Sequence, residues 1–383
     1  MIYAWNVDLF KKMGLYDGPI AQGLVWLIFL LLAGGVIFSA IKMAGFLVAF
    51  TARKNIGQSL AGGLILAIIT SLPELTIAFT MGASNTPQFS FGNTLGANSF
   101  FMTIFALGSL IFLKKHKFNK INKFYSNLLF EFAFFSALIL LAFLPNLLYP
   151  NNKVLIPFLS LTIPGIEMSW LLISIAIIYF TVITISIVKE KNKTKNNLTL
   201  EFEITDDLIS EKDYKNHLTI KKITCLFILF TILLVFLAFS LSLTADILPH
   251  VYGIPETSVG GIILSFVTNC PELTSTFVLL KNNKKKIAFG GLIGSLNFNL
   301  VINFFADLAF RQNGSLNHII YNNPYYLQYS ILTILQFILM FFTFSTTTKA
   351  VQTNKKWYIS INVLIILTYI IVWTLILTIV PVR

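Results

Sequence analysis

Ten apolar segments of about twenty residues or more leave this chain few possible folds. They run roughly over 22–49, 57–83, 89–113, 126–148, 167–188, 222–247, 255–280, 287–310, 325–345 and 357–380. About 20 apolar residues of helix cross the hydrocarbon core of a bilayer. Within that core every backbone N–H and C=O must find a partner inside the protein. The runs are long and do not alternate polar with apolar residues, which excludes a closed β-barrel. The expected fold is an all-α polytopic membrane protein with about ten transmembrane helices. Composition agrees: 11% of residues are charged, against about 25% in a soluble domain.

The net charge of +12 does not indicate nucleic acid in so apolar a chain. It indicates lysine-rich cytoplasmic loops. With the N-terminus outside, the inner loops are 50–56, 114–125, 189–221, 281–286 and 346–356. They and their helix edges then hold every Lys and Arg except Lys11, Lys12, Lys42, Lys153, Arg311 and Arg383. An N-out, C-out arrangement follows, with an even number of spans. The first residues include Asp8, Lys11, Lys12 and Asp17 and do not read as a cleavable signal peptide. Abundant Asn, Lys, Ile and Phe point to an AT-rich, bacterial genome and so to an inner (cell) membrane. The two cysteines, Cys225 and Cys270, lie in apolar stretches and imply no disulfide framework.

The chain also repeats itself. Residues 65–79 read ILAIITSLPELTIAF and residues 263–277 read ILSFVTNCPELTSTF, with eight of fifteen positions identical at an offset of 198. The same offset pairs Gly62-Gly63 with Gly260-Gly261 and FGNTLGANSFF (91–101) with FGGLIGSLNFN (289–299). Chance matching of apolar residues does not produce Thr-x-x-Pro-Glu-Leu-Thr and Phe-Gly-x-x-x-Gly in one register. Five spans separate the copies, and an odd number of crossings turns the second copy upside down. The expected organisation is a five-helix half, 1–188, containing repeat 57–113, then a cytoplasmic linker, 189–221. A second five-helix half, 222–383, contains repeat 255–310. Inverted repeats of this kind build secondary transporters, with the substrate site near the midplane between them.

Glu74 and Glu272 are repeat partners deep inside apolar spans. A lone charge at membrane depth costs roughly 2.5–3.5 kcal/mol on insertion scales, so two acids at equivalent positions point to function. Pro73 and Pro271 precede them. Proline lacks an N–H and clashes with the carbonyl four residues back, here Ile69 and Val267. Helix breaks are therefore expected around Thr70 and Thr268. Two carboxylates with freed carbonyls and hydroxyls make a hard oxygen site suited to Ca2+, with no histidine or cysteine cluster for zinc or copper. Thr94 and Asn98 share one face of the third span. Ser295, Asn299 and Asn303 share a face of the eighth. Asn98, Ser295 and Asn299 are supporting candidates. Gly92, Gly96, Gly290 and Gly294 suit close helix packing. Glu131, Asp246 and Asp307, the last beside Arg311, read as interfacial or paired charges.

TSLPELT (70–76) with GNTLGAN (92–98), and TNCPELT (268–274) with GGLIGSLNFN (290–299), resemble the two alpha-repeats of the calcium/cation antiporter superfamily, the sodium/calcium exchanger group. The resemblance implies ten helices and alternating access. It implies that Glu74 and Glu272 bind Ca2+ with backbone oxygens of Thr70 and Thr268, and that Ser71, Ser295 and Asn299 complete the ion sites. The sequence departs from the family pattern at several positions. Asn269 replaces a serine but keeps an oxygen. Ala97 and Phe101 replace polar residues. Asn299 is an amide where an acid is common, and Gly291 stands where Asn is usual.

The expected function is antiport of Ca2+, or a similar divalent cation, against Na+ or H+. No cofactor, enzyme activity or nucleic-acid partner is expected, and the lipid bilayer is the surrounding medium. A cation channel or uniporter, and a degenerate non-transporting relative, are the alternatives.

Overall fold

The apolar runs fold as helices whose ends fall mostly within a few residues of those expected. The structure, a computed structural model, describes residues 11–12, 18–53, 68, 70–112, 123–148, 162–163, 167–195, 218–281, 285–310, 312, 314–322, 326–348, 351 and 353–379. In chain order the helices are α1 (Pro19–Arg53), α2 (Leu72–Ala83), α3 (Pro87–Ile111), α4 (Lys123–Leu148), α5 (Trp170–Lys195) and α6 (Ile220–Tyr252). There follow α7 (Glu256–Thr268), α8 (Cys270–Lys281), α9 (Lys285–Phe310), α10 (Ser315–Asn322), α11 (Tyr326–Ser345) and α12 (Lys355–Ile379). Among the described residues there is no strand, only one isolated bridge between Thr162 and Ser169.

Six helices, α1, α3, α6, α9, α11 and α12, are long and apolar enough to cross a membrane. Shorter apolar helical stretches cover Leu129–Leu144, Trp170–Ile185 and Glu256–Thr268. The break expected around Thr268 falls at Asn269, so the span at 255–280 is two helices, α7 and α8. Two features depart from expectation. Helix α5 runs on to Lys195, into the stretch expected as linker; residues 196–217 lie outside the described residues. The short helix α10 was not expected at all. Residues 54–67 and Ile69, and with them the Gly62-Gly63 pair, also lie outside the described residues.

Helices α3 and α9 are the most enclosed of the long helices and form the centre of the molecule. They run antiparallel: Ser90 and Thr94 bond Asn303, Asn98 bonds Asn299, and the rings of Phe105 and Phe289 lie 5.7 Å apart. Helices α1 and α6 pack along each other at the periphery. Trp26 meets Tyr252 at one end and Phe46 stacks on Phe230 further along, so this pair is antiparallel too. Their outward faces expose Leu27, Leu30, Leu31 and Phe38 on α1 and Ile232 and Phe236 on α6, as a lipid-facing surface requires.

Glycines set the closest approaches. A Cβ on Gly96 of α3 would lie 2.2 Å from the Gly261 carbonyl oxygen, and one on Gly260 would lie 2.8 Å from the Phe89 carbonyl oxygen. The Gly260-Gly261 pair sits in a π-helical turn of α7, Val259–Leu264. That wide turn carries the α7 backbone onto α3. Gly82 of α2 does the same against Ala306 of α9.

Candidate functional site

The site begins at two helix breaks. Thr70 and Thr268 each precede a single non-helical residue, Ser71 (φ −89°, ψ 15°) and Asn269 (φ −86°, ψ 0°). These repeat partners share nearly the same backbone, in the sparsely used bridge region. Helices α2 and α8 then start at Leu72 and Cys270, which puts Pro73 and Pro271 second in each helix. There a missing N–H costs nothing. The proline thus permits the break and opens the new helix, and Glu74 and Glu272 follow in its first turn. A helix N-terminus carries partial positive charge, which favours a carboxylate there.

Both carboxylates are buried: Glu74 is 1% exposed and Glu272 5%. They lie close enough to interact electrostatically. Each is also addressed by the threonine of the other repeat, Thr268 to Glu74 and Thr70 to Glu272. The site is therefore woven crosswise from the two copies. Glu74 Oε2 is buried with no hydrogen-bond partner among the described residues, a costly state for a carboxyl oxygen without a ligand.

Of the remaining expected residues, Ser71 is buried and its hydroxyl does not cap α2. Asn269 donates its amide to the Ser265 carbonyl at 2.7 Å, which turns the amide oxygen the other way. Ser295 and Asn299 are buried one turn apart on α9, the helix packed against α2. Asn98 differs from expectation. Its oxygen accepts from Asn299 Nδ2 at 2.9 Å and its nitrogen donates to Gln336 at 3.0 Å, so it braces Asn299 with the very oxygen proposed as a ligand. On α3 the positions equivalent to Ser295 and Asn299 are Ala97 and Phe101, both buried, with Phe101 in the main apolar cluster. At these two positions only α9 is polar.

Sequence reasoning missed several polar residues here. Gln336 and Ser136 join the Asn98 network; each was visible only as a lone polar residue in an apolar run. Asn93 is buried with neither amide atom partnered among the described residues. Glu131, Asp246 and Asp307 are all buried. Asp307 accepts the backbone N–H groups of Ser169 and Ser315, and Arg311 lies outside the described residues. Among the described residues no group of three His, Cys, Asp or Glu side chains is placed to hold a metal.

A bundle of membrane-length helices enclosing two acids and a set of oxygen donors is the construction of a polytopic ion transporter, not an enzyme. The sodium/calcium exchanger protein family profile matches residues 24–189 and 222–380, and the chain belongs to that family. Among solved structures it resembles the crystal structure of the H+/Ca2+ exchanger CAX, with a TM-score of 0.53 and 14% identity over 97% of this chain and 91% of that one. It also resembles the sodium-calcium exchanger NCX_Mj soaked with Na+ and Sr2+. There the TM-score is 0.49 and the identity 16%, over 91% of this chain and 96% of that one. No curated protein matches the chain significantly.

Proposed function

We propose that this protein is a secondary active antiporter that moves Ca2+, or a similar divalent cation, against Na+ or H+ by alternating access. The observation that carries this reading is the crosswise pair, Glu74 with Thr268 and Glu272 with Thr70. It gathers two carboxylates and their flanking oxygens at one buried point. Two ionised carboxylates balance one divalent charge, and hard oxygen donors suit Ca2+. On the return step Na+ or H+ neutralises the same pair. Competition for shared carboxylates couples the two fluxes without ATP. Thr70, Thr268, Ser71, Asn269, Ser295 and Asn299 supply the remaining oxygens in this reading.

The architecture we infer is two inverted five-helix halves, 1–188 and 222–383, joined by a cytoplasmic linker, with both termini outside. Support comes from the matched breaks at Ser71 and Asn269 and from the antiparallel course of α1 and α6, which occupy equivalent places in the two halves. These two helices lie at the periphery and are the natural moving pair, while α3 and α9 hold the site. The buried apolar Ala97 and Phe101 favour a second reading, a relative that no longer transports.

One experiment separates the readings. Purified protein in proteoliposomes is given Ca2+ with an imposed Na+ or H+ gradient. Gradient-driven Ca2+ flux is expected, and Glu74→Gln or Glu272→Gln should abolish it. Flux that persists without an exchangeable counter-ion would indicate a channel. No flux under any gradient would indicate the degenerate relative. Near-normal rates in both glutamine variants would overturn the site.

A further inference from the structure

A relay of buried amides runs outward from the α9 wall. Asn299 Nδ2 donates to Asn98 Oδ1 at 2.9 Å. Asn98 Nδ2 donates to Gln336 Oε1 of α11 at 3.0 Å and reaches the Leu296 carbonyl at 3.4 Å. Gln336 Nε2 donates to Ser136 Oγ of α4 at 2.8 Å. All four side chains are fully buried.

Each amide has a donor end and an acceptor end, and a flip exchanges them. Here a backbone group sets the sense. The Leu296 carbonyl only accepts, so Asn98 must turn Nδ2 toward it and toward Gln336. Asn98 Oδ1 then faces Asn299, and Asn299 must answer with its own Nδ2. What remains is Asn299 Oδ1, buried and with no partner among the described residues. A buried carbonyl oxygen left without a partner is costly unless a ligand meets it.

We propose that Gln336, acting through Asn98, is a positioning residue that holds Asn299 with its amide oxygen presented to the transported cation. This rests on the reading of Glu74 and Glu272 as the cation site.

The test is the Ca2+ dependence of exchange by the full chain in proteoliposomes. Gln336→Met keeps the volume and removes both amide ends. It should raise the half-saturating Ca2+ about tenfold with little change in maximal rate, a scale set by one mispositioned oxygen ligand. Asn299→Ala should give a similar rise, and adding Gln336→Met to it should change nothing further. A merely structural role would give independent, additive effects. Gln336→Glu keeps an acceptor for Asn98 and should recover most of the affinity. If Gln336→Met does not fold, Gln336→Asn, one methylene shorter, breaks the same contacts and carries the same expectation. Unchanged half-saturation in the Gln336 variants, additivity with Asn299→Ala, or a Gln336→Glu protein as weak as Gln336→Met would overturn the relay. Those results leave the glutamate site standing, whereas wild-type flux from Glu74→Gln and Glu272→Gln removes the site itself.

Discussion

Asp307 sits at the far end of α9 with no exposed surface, and its carboxylate accepts two backbone N–H groups, from Ser169 at 2.6 Å and from Ser315. Ser169 immediately precedes α5 and Ser315 opens α10, so one side chain holds two helix N-termini and ties three helices together. Hydrogen bonds to a charged acceptor contribute roughly 1.5–3 kcal/mol each. Asp307→Ala should cost on the order of 3 kcal/mol, read as a lower unfolding temperature in detergent, and Asp307→Asn should fall between it and wild type. The acid was plain in the sequence but its partners were not. Ser169 lies 138 positions away, and no local pattern announces a bond between backbone and a distant carboxylate. Glu74 and Glu272 were legible for the opposite reason, because the repeat marked them twice.

Among elements, the helix contacts depend on where glycine is obligatory and where it is incidental. On Gly96 a methyl group would meet the Gly261 backbone at 2.2 Å, and on Gly82 the Ala306 carbonyl at 2.1 Å; on Gly23 it would meet nothing within 4 Å. Backbone cannot move aside as a flexible side chain can. Gly96→Ala and Gly82→Ala should each destabilise the fold by about 3 kcal/mol, the upper part of the overpacking range. Gly23→Ala should be neutral or add up to about 1 kcal/mol, the helix-propensity difference. Thermal unfolding of the three variants side by side decides it; equal effects would refute the packing argument. The sequence placed Gly92 and Gly96 correctly as packing residues. It did not show that their partner is the π-helical turn of α7, because that widening depends on the chain meeting α3. Likewise the Pro-Glu motifs announced helix breaks, but only the folded backbone shows that each proline opens a new helix.

For the whole molecule, the proposed function rests on two copies of one motif facing each other. If protons and divalent ions share Glu74 and Glu272, acidification should raise the half-saturating Ca2+, because protonation removes the charge that binds the ion. Flux measured across a pH series checks this, and a half-saturation independent of pH would speak against shared carboxylates. If both termini lie outside, as proposed, reporters fused to either end should be active only on the outer side of the membrane. Hydrophobic length determined the helical spans, repeated motifs singled out the two acids of the proposed site, and lysine placement predicted orientation; all three are properties of residue type and spacing along the chain. The tertiary structure alone decided which partner each polar side chain meets. Crossed threonines, the amide relay and the double cap at Asp307 join residues far apart in sequence, and their geometry exists only once the helices have packed.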